Sequence, residues 1–381
     1  MLKQQKIFFD FLRFCIGSAK EIPGSLKEAD WKELYAIAQK QALLGVLFYG
    51  IRRLPKELAP EQKLLMQWMA MAELIRKQNI RQFQDSVKIC QNLENEGFAN
   101  CILKGQGNAL LYPDPYMRTP GDIDIYLSGG RRKIMKYVDQ VCPNQVMRYH
   151  HVDFPMMKTA IEVHFTPSYM FFPIHNSRMQ KWFGKVMDLQ CSNIVTLPDG
   201  YGEITVPTTN FNVIYILSHL YRHIFTEGIG LRQLLDYYFV LVKWHTDLTN
   251  LTDSNKSLPQ MTQINTDLDT LRHELKYLGL WKFAQAVMFV MKEVFGLSED
   301  RMIAPMDEKE GRFLLDEIMR GGNFGQYDDR MGSKVGESKI HRYFRMNLRN
   351  LRFVKHYPTE ALSEPLFRTW FAVWKKIHGI K

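Results

Sequence analysis

The sequence is poor in the residues that staple small folds and in the runs that cross membranes. Cysteine occurs five times in 381 residues, at positions 15, 90, 101, 142 and 191, with no CxxC pair. That odd, scattered set supports neither a disulfide framework nor a zinc knuckle, and it fits a reducing compartment. No window reaches the roughly 18 uninterrupted apolar residues of a membrane span. The opening MLKQQKIFFDFLRFCIGSA is broken by Asp10 and Arg13, and Phe8, Phe11, Leu12 and Cys15 recur at helical spacing, so it reads as an amphipathic helix and not as a leader. A cytoplasmic protein is expected. There is no internal repeat and no compositionally simple segment. The 46% hydrophobic and 24% charged content excludes a disordered chain.

What is present is mostly helix. The fold class expected is α+β and predominantly helical, with a small mixed-sheet core between helical flanks. Residues 1–98 read as successive helices. DWKELYAIAQKQ starts behind Asp30 as N-cap, and a long helix has Pro60 in its first turn and ends at Gly97. Residues 99–206 change character: strand NCILKG, helical turn QGNALLY, proline-rich loop PDPYMRTPG, strand DIDIYL, helix RRKIMKYVDQVC, then strands NQVMRYHHVDF and MMKTAIEVHF. A helix and a hairpin (CSNIVTL, EITVP) follow. Residues 207–381 return to helices, with the polar stretch 246–263 expected as an exposed loop.

Chemistry concentrates in the middle region. Residues i and i+2 of a strand share a face, so Asp122 and Asp124 point one way while Ile123, Ile125 and Leu127 point to the covered side. Glu162 and His164 of IEVHF repeat the pattern. If these strands are neighbours, three carboxylates converge on one open face, where they repel and raise one another's pKa. A divalent cation with hard oxygen ligands resolves that conflict, which suits Mg²⁺, with Mn²⁺ as alternative. The turn Lys104-Gly105-Gln106-Gly107 exposes backbone N–H groups suited to phosphate oxygens. Arg118 either adds charge for phosphate or braces its loop, through Asp122 or Asp114.

These residues carry a resemblance. Strand-Gly-x-helix, a D-h-D strand and a later acidic strand residue resemble the polymerase-β-like nucleotidyltransferase superfamily. More narrowly, LKGxxxALLYPDPxxRxxxDIDIY followed by IEVHF is similar to an uncharacterised bacterial nucleotidyltransferase family, with HLYRH and GLRQLLDYY like its downstream helices. The resemblance implies an NTP co-substrate, Asp122, Asp124 and Glu162 as metal ligands, Gly105 as the phosphate-turn glycine, and Lys104, Gln106, Gly107 and Arg118 around the nucleotide. Gln106 stands where many members have serine or glycine.

Two other readings stay open: a DxD glycosyltransferase using a sugar nucleotide, and a degenerate nucleotidyltransferase fold retained for binding. The acceptor is open among a small molecule, a carbohydrate precursor, a protein side chain and an RNA end. Residues 331–381 hold 11 Lys or Arg against three Glu, which weakly favours nucleic acid; a solvated helix face is the commoner cause. His219 and His223, four apart without HExxH, are expected to pack against the catalytic unit. Asp236 is expected in a structural role, paired with Arg232, with facing the site as the alternative. Phe367, Trp370, Phe371 and Trp374 form one stripe, expected to face the core, with an interfacial membrane helix as the less common alternative.

Overall fold

A computed structural model describes residues 2–253, 267–330 and 338–379. Four helices open the chain: α1 (Lys3–Ile16), α2 (Trp31–Lys40), α3 (Leu44–Ile51) and α4 (Gln62–Asn95). Asp30 caps α2, its Oδ1 accepting from the N–H groups of Lys32 at 2.9 Å and Glu33 at 3.2 Å. Pro60 lies ahead of α4 and outside its first turn, because the cap is Glu61. The helix runs 34 residues without a break. It stops where Gly97 adopts φ +78° and Phe98 donates back to the Leu93 carbonyl.

The sheet follows. Strands β1 (Asn100–Leu103), β2 (Ile123–Leu127), β3 (His151–Asp153) and β4 (Ile161–His164) lie in the order β1-β2-β4-β3, with β2 and β4 parallel and the outer pairs antiparallel. Helix α5 (Gly105–Ala109) joins β1 to the loop before β2, and α6 (Gly130–Val141) joins β2 to β3. The strand expected over NQVMRYHHVDF is shorter than its pattern. Arg148 donates to the His151 carbonyl, and this tight turn folds Met147 back onto Val152. Helix α7 (Pro173–Gln190) and the hairpin of β5 (Ile194–Thr196) and β6 (Glu203–Thr205) complete the region.

Seven helices close the described chain: α8 (Thr209–Thr226), α9 (Leu231–Asp253), α10 (Leu268–Tyr277), α11 (Trp281–Phe295), α12 (Glu308–Gly321), α13 (Lys339–Val354) and α14 (Pro358–Ile377). Residues 246–253, expected in a loop, are the last turns of α9; the rest of that polar stretch lies outside the described residues. No helix among the described residues is long and apolar enough to cross a membrane.

Two apolar cores lie on opposite faces of the sheet. Ile102, Ile123, Ile125, Leu127, Val152, Ile161 and Val163 pack with Phe83, Ile89 and Leu93 of α4 and Ile134 and Val138 of α6. Cys101 and Leu103 face the larger helical core, which α4 joins through Trp68, Ala72 and Ile75. Every residue of α8 from Asn210 to Phe225 is buried, so this helix is enclosed on all sides, as a central element is. Its C-terminal carbonyls are met by Arg349, which donates to Ile224, Phe225 and Thr226 at 3.0–3.4 Å. Part of the C-terminal basic excess is therefore internal structure. The aromatic stripe of α14 is split: Phe367 and Phe371 pack on Tyr149, whereas Trp370 is about half exposed beside Leu366 and Val373.

Candidate active site

The turn after β1 is strained. Lys104 sits at φ 54°, ψ −125°, and Gly105 follows at φ +43°. A lysine with positive φ persists only when its surroundings hold it there. Here Nζ lies 3.0 Å from Asp124 Oδ2 and 3.0 Å from His219 Nε2. The turn is thereby tied directly to the DxD strand and to the middle of α8. Gly107 is required by packing: a Cβ there would stand 2.8 Å from Val206 Cγ1.

The Gln106 side chain does not reach the site. It is buried, and its Nε2 points to Asn79 Oδ1 at 3.3 Å on α4. Asn79 in turn donates to the carbonyls of Tyr116 at 2.9 Å and Arg118 at 2.8 Å. One buried amide pair thus fixes α5 and the proline-rich loop against α4. Only backbone groups of residue 106 remain for a phosphate.

Arg118 is a brace. It is 3% exposed, and its Nε and Nη2 bind Asp236 Oδ1 and Oδ2 at 2.8 and 2.7 Å. Tyr112 donates to the same carboxylate at 2.7 Å. The expected partners differ: Arg118 takes neither Asp122 nor Asp114, and Asp236 pairs with Arg118 and not Arg232. A residue four positions back on a helix reaches a neighbour only weakly, whereas the planar guanidinium meets a carboxylate as a two-pronged fork.

Strand register brings the carboxylates together. Asp124 stands opposite Glu162 across the parallel β2–β4 pair, and Glu162 stands opposite Asp153 across β3–β4. His164 Nε2 lies 2.9 Å from Asp124 Oδ1 and 3.5 Å from Glu162 Oε2. His151 Nδ1 lies 3.1 Å from Glu162 Oε2 and 3.3 Å from His150 Nε2. His150, His151 and Asp153 went unnoticed in the sequence, although the HVD alternation puts His151 and Asp153 on one face. The charged face, expected to be open from its polarity, is covered by α8 and α9 at Asp124, while Asp122 is exposed and Glu162 half-buried. Ile216, His219 and Leu220 of α8 and Arg232, Gln233 and Asp236 of α9 line a recess with Lys104, Gly105, Asp122 and Asp124.

The two aspartates have opposite electrostatics. Burial pushes the Asp124 carboxyl up, but Lys104 and His164 outweigh it and hold the group well below the usual carboxylate range. Asp122 is solvent-exposed at the rim of the recess. There the Asp124 charge, crowding by protein and Glu162 push it up to about 6. Burial lowers His164, yet its hydrogen bonds to Asp124 and Glu162 carry it above the ordinary histidine value. Burial holds His219 well below that value, and Lys104 lowers it further. His223, four residues on, stands 3.3 Å from Glu227 and does not join a carboxylate of the site.

A divalent cation fits this donor set. The raised Asp122 marks negative charge that Lys104 alone does not balance, and oxygen atoms of Asp124 and Glu162 already lie within 4.8 Å of each other and of His164 Nε2. The recess holds about 40 Å³, far below the roughly 300 Å³ or more of a small-molecule site. A second cleft of about 500 Å³ opens on the other side of α5 and shares Lys104 and Asn108 with the recess.

Comparison with known proteins gives one match. No curated protein and no solved structure matches the chain. Residues 27–296 match a family described as an uncharacterised nucleotidyltransferase. That span takes in the sheet, the Lys104–Gly105 turn, the carboxylates and the roof of α8 and α9. The chain belongs to this uncharacterised nucleotidyltransferase family, and it is an enzyme of that class.

Proposed function

We propose that the protein transfers a nucleoside monophosphate from an NTP to an acceptor, in a metal-dependent reaction centred on Asp122, Asp124 and Glu162. The observation that carries this is a contact: Lys104 Nζ, at the turn suited to phosphate, lies 3.0 Å from Asp124 Oδ2. Phosphate-binding and cation-binding groups therefore share one small volume.

The triphosphate is assigned to the backbone of Lys104, Gly105, Gln106 and Gly107, with the Lys104 ammonium as its countercharge. The rest of the nucleotide extends into the 500 Å³ cleft, which the recess itself is too small to replace. A bound Mg²⁺ or Mn²⁺ would offset the charge that develops on the phosphate oxygens. Asp122, Asp124 and Glu162 would hold it. Glu162, kept in place by His151 and His164, orients the acceptor and takes its proton. The acceptor oxygen or nitrogen then attacks the α-phosphorus in line; that bond forms as the α–β bridging bond breaks, and pyrophosphate leaves. Arg118 keeps the proline-rich loop and α9 in register through Asp236, and it also lines the recess, with its Nη1 left without a partner. The flanking helices supply the acceptor site.

The test is pyrophosphate release from each NTP, with Mg²⁺ or Mn²⁺ and a cell extract as acceptor source, by the wild type and by Asp122→Asn and Asp124→Asn. Labelled NTP in the same mixture identifies which fraction becomes modified. Loss of transfer in both folded variants supports the assignment, and unchanged transfer in either contradicts it. Nucleoside diphosphate release from a sugar nucleotide would replace it with the glycosyltransferase reading. The inward turn of Gln106 is the observation that favours a binding protein; that reading requires no calorimetric binding change with metal and no turnover.

A further inference from the structure

This inference rests on the nucleotidyltransferase reading and extends it to the kind of cation. Two groups at the site are nitrogen donors in places where a magnesium site has oxygens or water. His164 is fully buried, and its Nε2 is aimed between the two carboxylates at 2.9 and 3.5 Å. His151 Nδ1 reaches Glu162 from the flank at 3.1 Å. These are hydrogen-bond distances in the metal-free protein, and they also fit donors that share one ion. With metal–donor bonds of about 2.0–2.2 Å, neighbouring donors stand roughly 3.0 Å apart at right angles and roughly 3.5 Å apart at tetrahedral angles. Ligand atoms of Asp124, Glu162 and His164 all fall within 4.8 Å of one another, and so do those of His150, His151 and His164.

The polar surroundings agree. His150 is nine-tenths or more buried, and its Nδ1 has no hydrogen-bond partner; the Nδ1 of His164 has none either. Three imidazoles pack with ring centroids 4.5–5.1 Å apart, and two of them, His151 and His164, turn a nitrogen toward Glu162. A water-coordinated, oxygen-loving Mg²⁺ gains little from them. Imidazole together with carboxylate suits first-row transition metals.

We propose that His164 Nε2 joins the carboxylates already assigned to the cation, with Asp124 and Glu162 nearest to it, in a mixed nitrogen–oxygen seat for a first-row divalent ion, with Mn²⁺ preferred over Mg²⁺ and His151 as a flanking donor. With the ion bound, His164 is a ligand through its neutral imidazole; in the metal-free protein the same nitrogen is the hydrogen-bond partner of Asp124.

The probe is Mn²⁺ alone, added to the full-length protein and read by electron paramagnetic resonance. Pulsed spectra of the wild type should show ¹⁴N coupling of imidazole, and the pattern should change to ¹⁵N when the wild type is grown with ¹⁵N-histidine. The labelled wild type needs no substitution, so the measurement survives a variant that fails to fold. His164→Asn keeps an N–H donor toward the carboxylates but removes the imidazole. It should weaken Mn²⁺ at least about 10-fold while changing Mg²⁺ affinity, measured by competition, less than about 3-fold. A bound Mn²⁺ without nitrogen coupling, or equal losses for the two ions in His164→Asn, overturns the proposal. Pyrophosphate release without nitrogen coupling would sink this inference alone. Nitrogen coupling without any NTP turnover would instead sink the reading it rests on.

Discussion

The two faces of the four-stranded sheet are both covered, but by opposite means. One face meets α4 and α6 through Ile123, Ile125, Val152 and Val163, each 2% exposed or less. The other carries Asp124, Glu162, His151 and His164, and α8 and α9 cover it at Asp124. The apolar face is held by removal of area from water. The polar face is stable only where each charge has a partner, because an unpaired buried charge is expensive. Lys104, His164 and Arg118 supply those partners for Asp124 and Asp236. Asp122, at the rim, is left with the surplus charge, and that surplus is where the chemistry is assigned.

Removing one partner of a buried pair should hurt most. Arg118→Met is expected to cost about 3–5 kcal/mol in urea unfolding, since Asp236 stays behind uncompensated. Adding Asp236→Leu should recover most of the loss. If the double variant is no better than the single, the polar face is not organised by pairing. On the apolar face Ile125→Ala should cost about 2–4 kcal/mol, with no rescue by any charge change.

The aspartates should then respond with opposite signs. Asp124→Asn weakens the contacts to Lys104 and His164 and is expected to destabilise the metal-free protein by about 1–3 kcal/mol. Asp122→Asn removes the surplus charge and should raise the metal-free melting temperature slightly. A drop in both variants would break the contrast.

The smallest effect is in pH. A carboxyl raised to about 6 from an ordinary 3.8 binds more protons folded than unfolded. Its contribution therefore favours the fold below about 4 and is lost as pH rises through about 6. Asp124, held low, acts in the reverse sense: its stabilisation is present above its ordinary value and lost on further acidification. Metal-free melting curves should show a decline between pH 4 and 6 that Asp122→Asn flattens. Cation affinity should fall as pH drops below about 6, because Asp122 must lose its proton to bind.

Local pattern made much of this legible. The alternation in DIDIYL and IEVHF separates Ile from Asp and Glu, and strand geometry converts that into two faces. Asp30, Gly97 and Gly105 mark their turns by cap chemistry or positive φ. Long-range partners were not legible. Arg118 and Asp236 are 118 residues apart, and nothing local distinguishes that pair from Arg232 with Asp236 on one helix. The inward turn of Gln106 depends on Asn79 of α4, again a tertiary contact. The roof was legible in part: His219 of α8 is expected against the catalytic unit, and it lies 3.0 Å from Lys104 Nζ. Polarity suggests an open face, and Asp122 is open, whereas pairing lets Asp124 be covered.

The central claim is that Asp122, Asp124 and Glu162 hold the cation that drives transfer from an NTP. Its most direct test is metal-dependent pyrophosphate release by the wild type and by Asp124→Asn, each with an acceptor-containing extract. The account predicts release by the wild type and at least about a 100-fold loss in the variant, with the sheet still folded by circular dichroism. Equal release from the two proteins would contradict it.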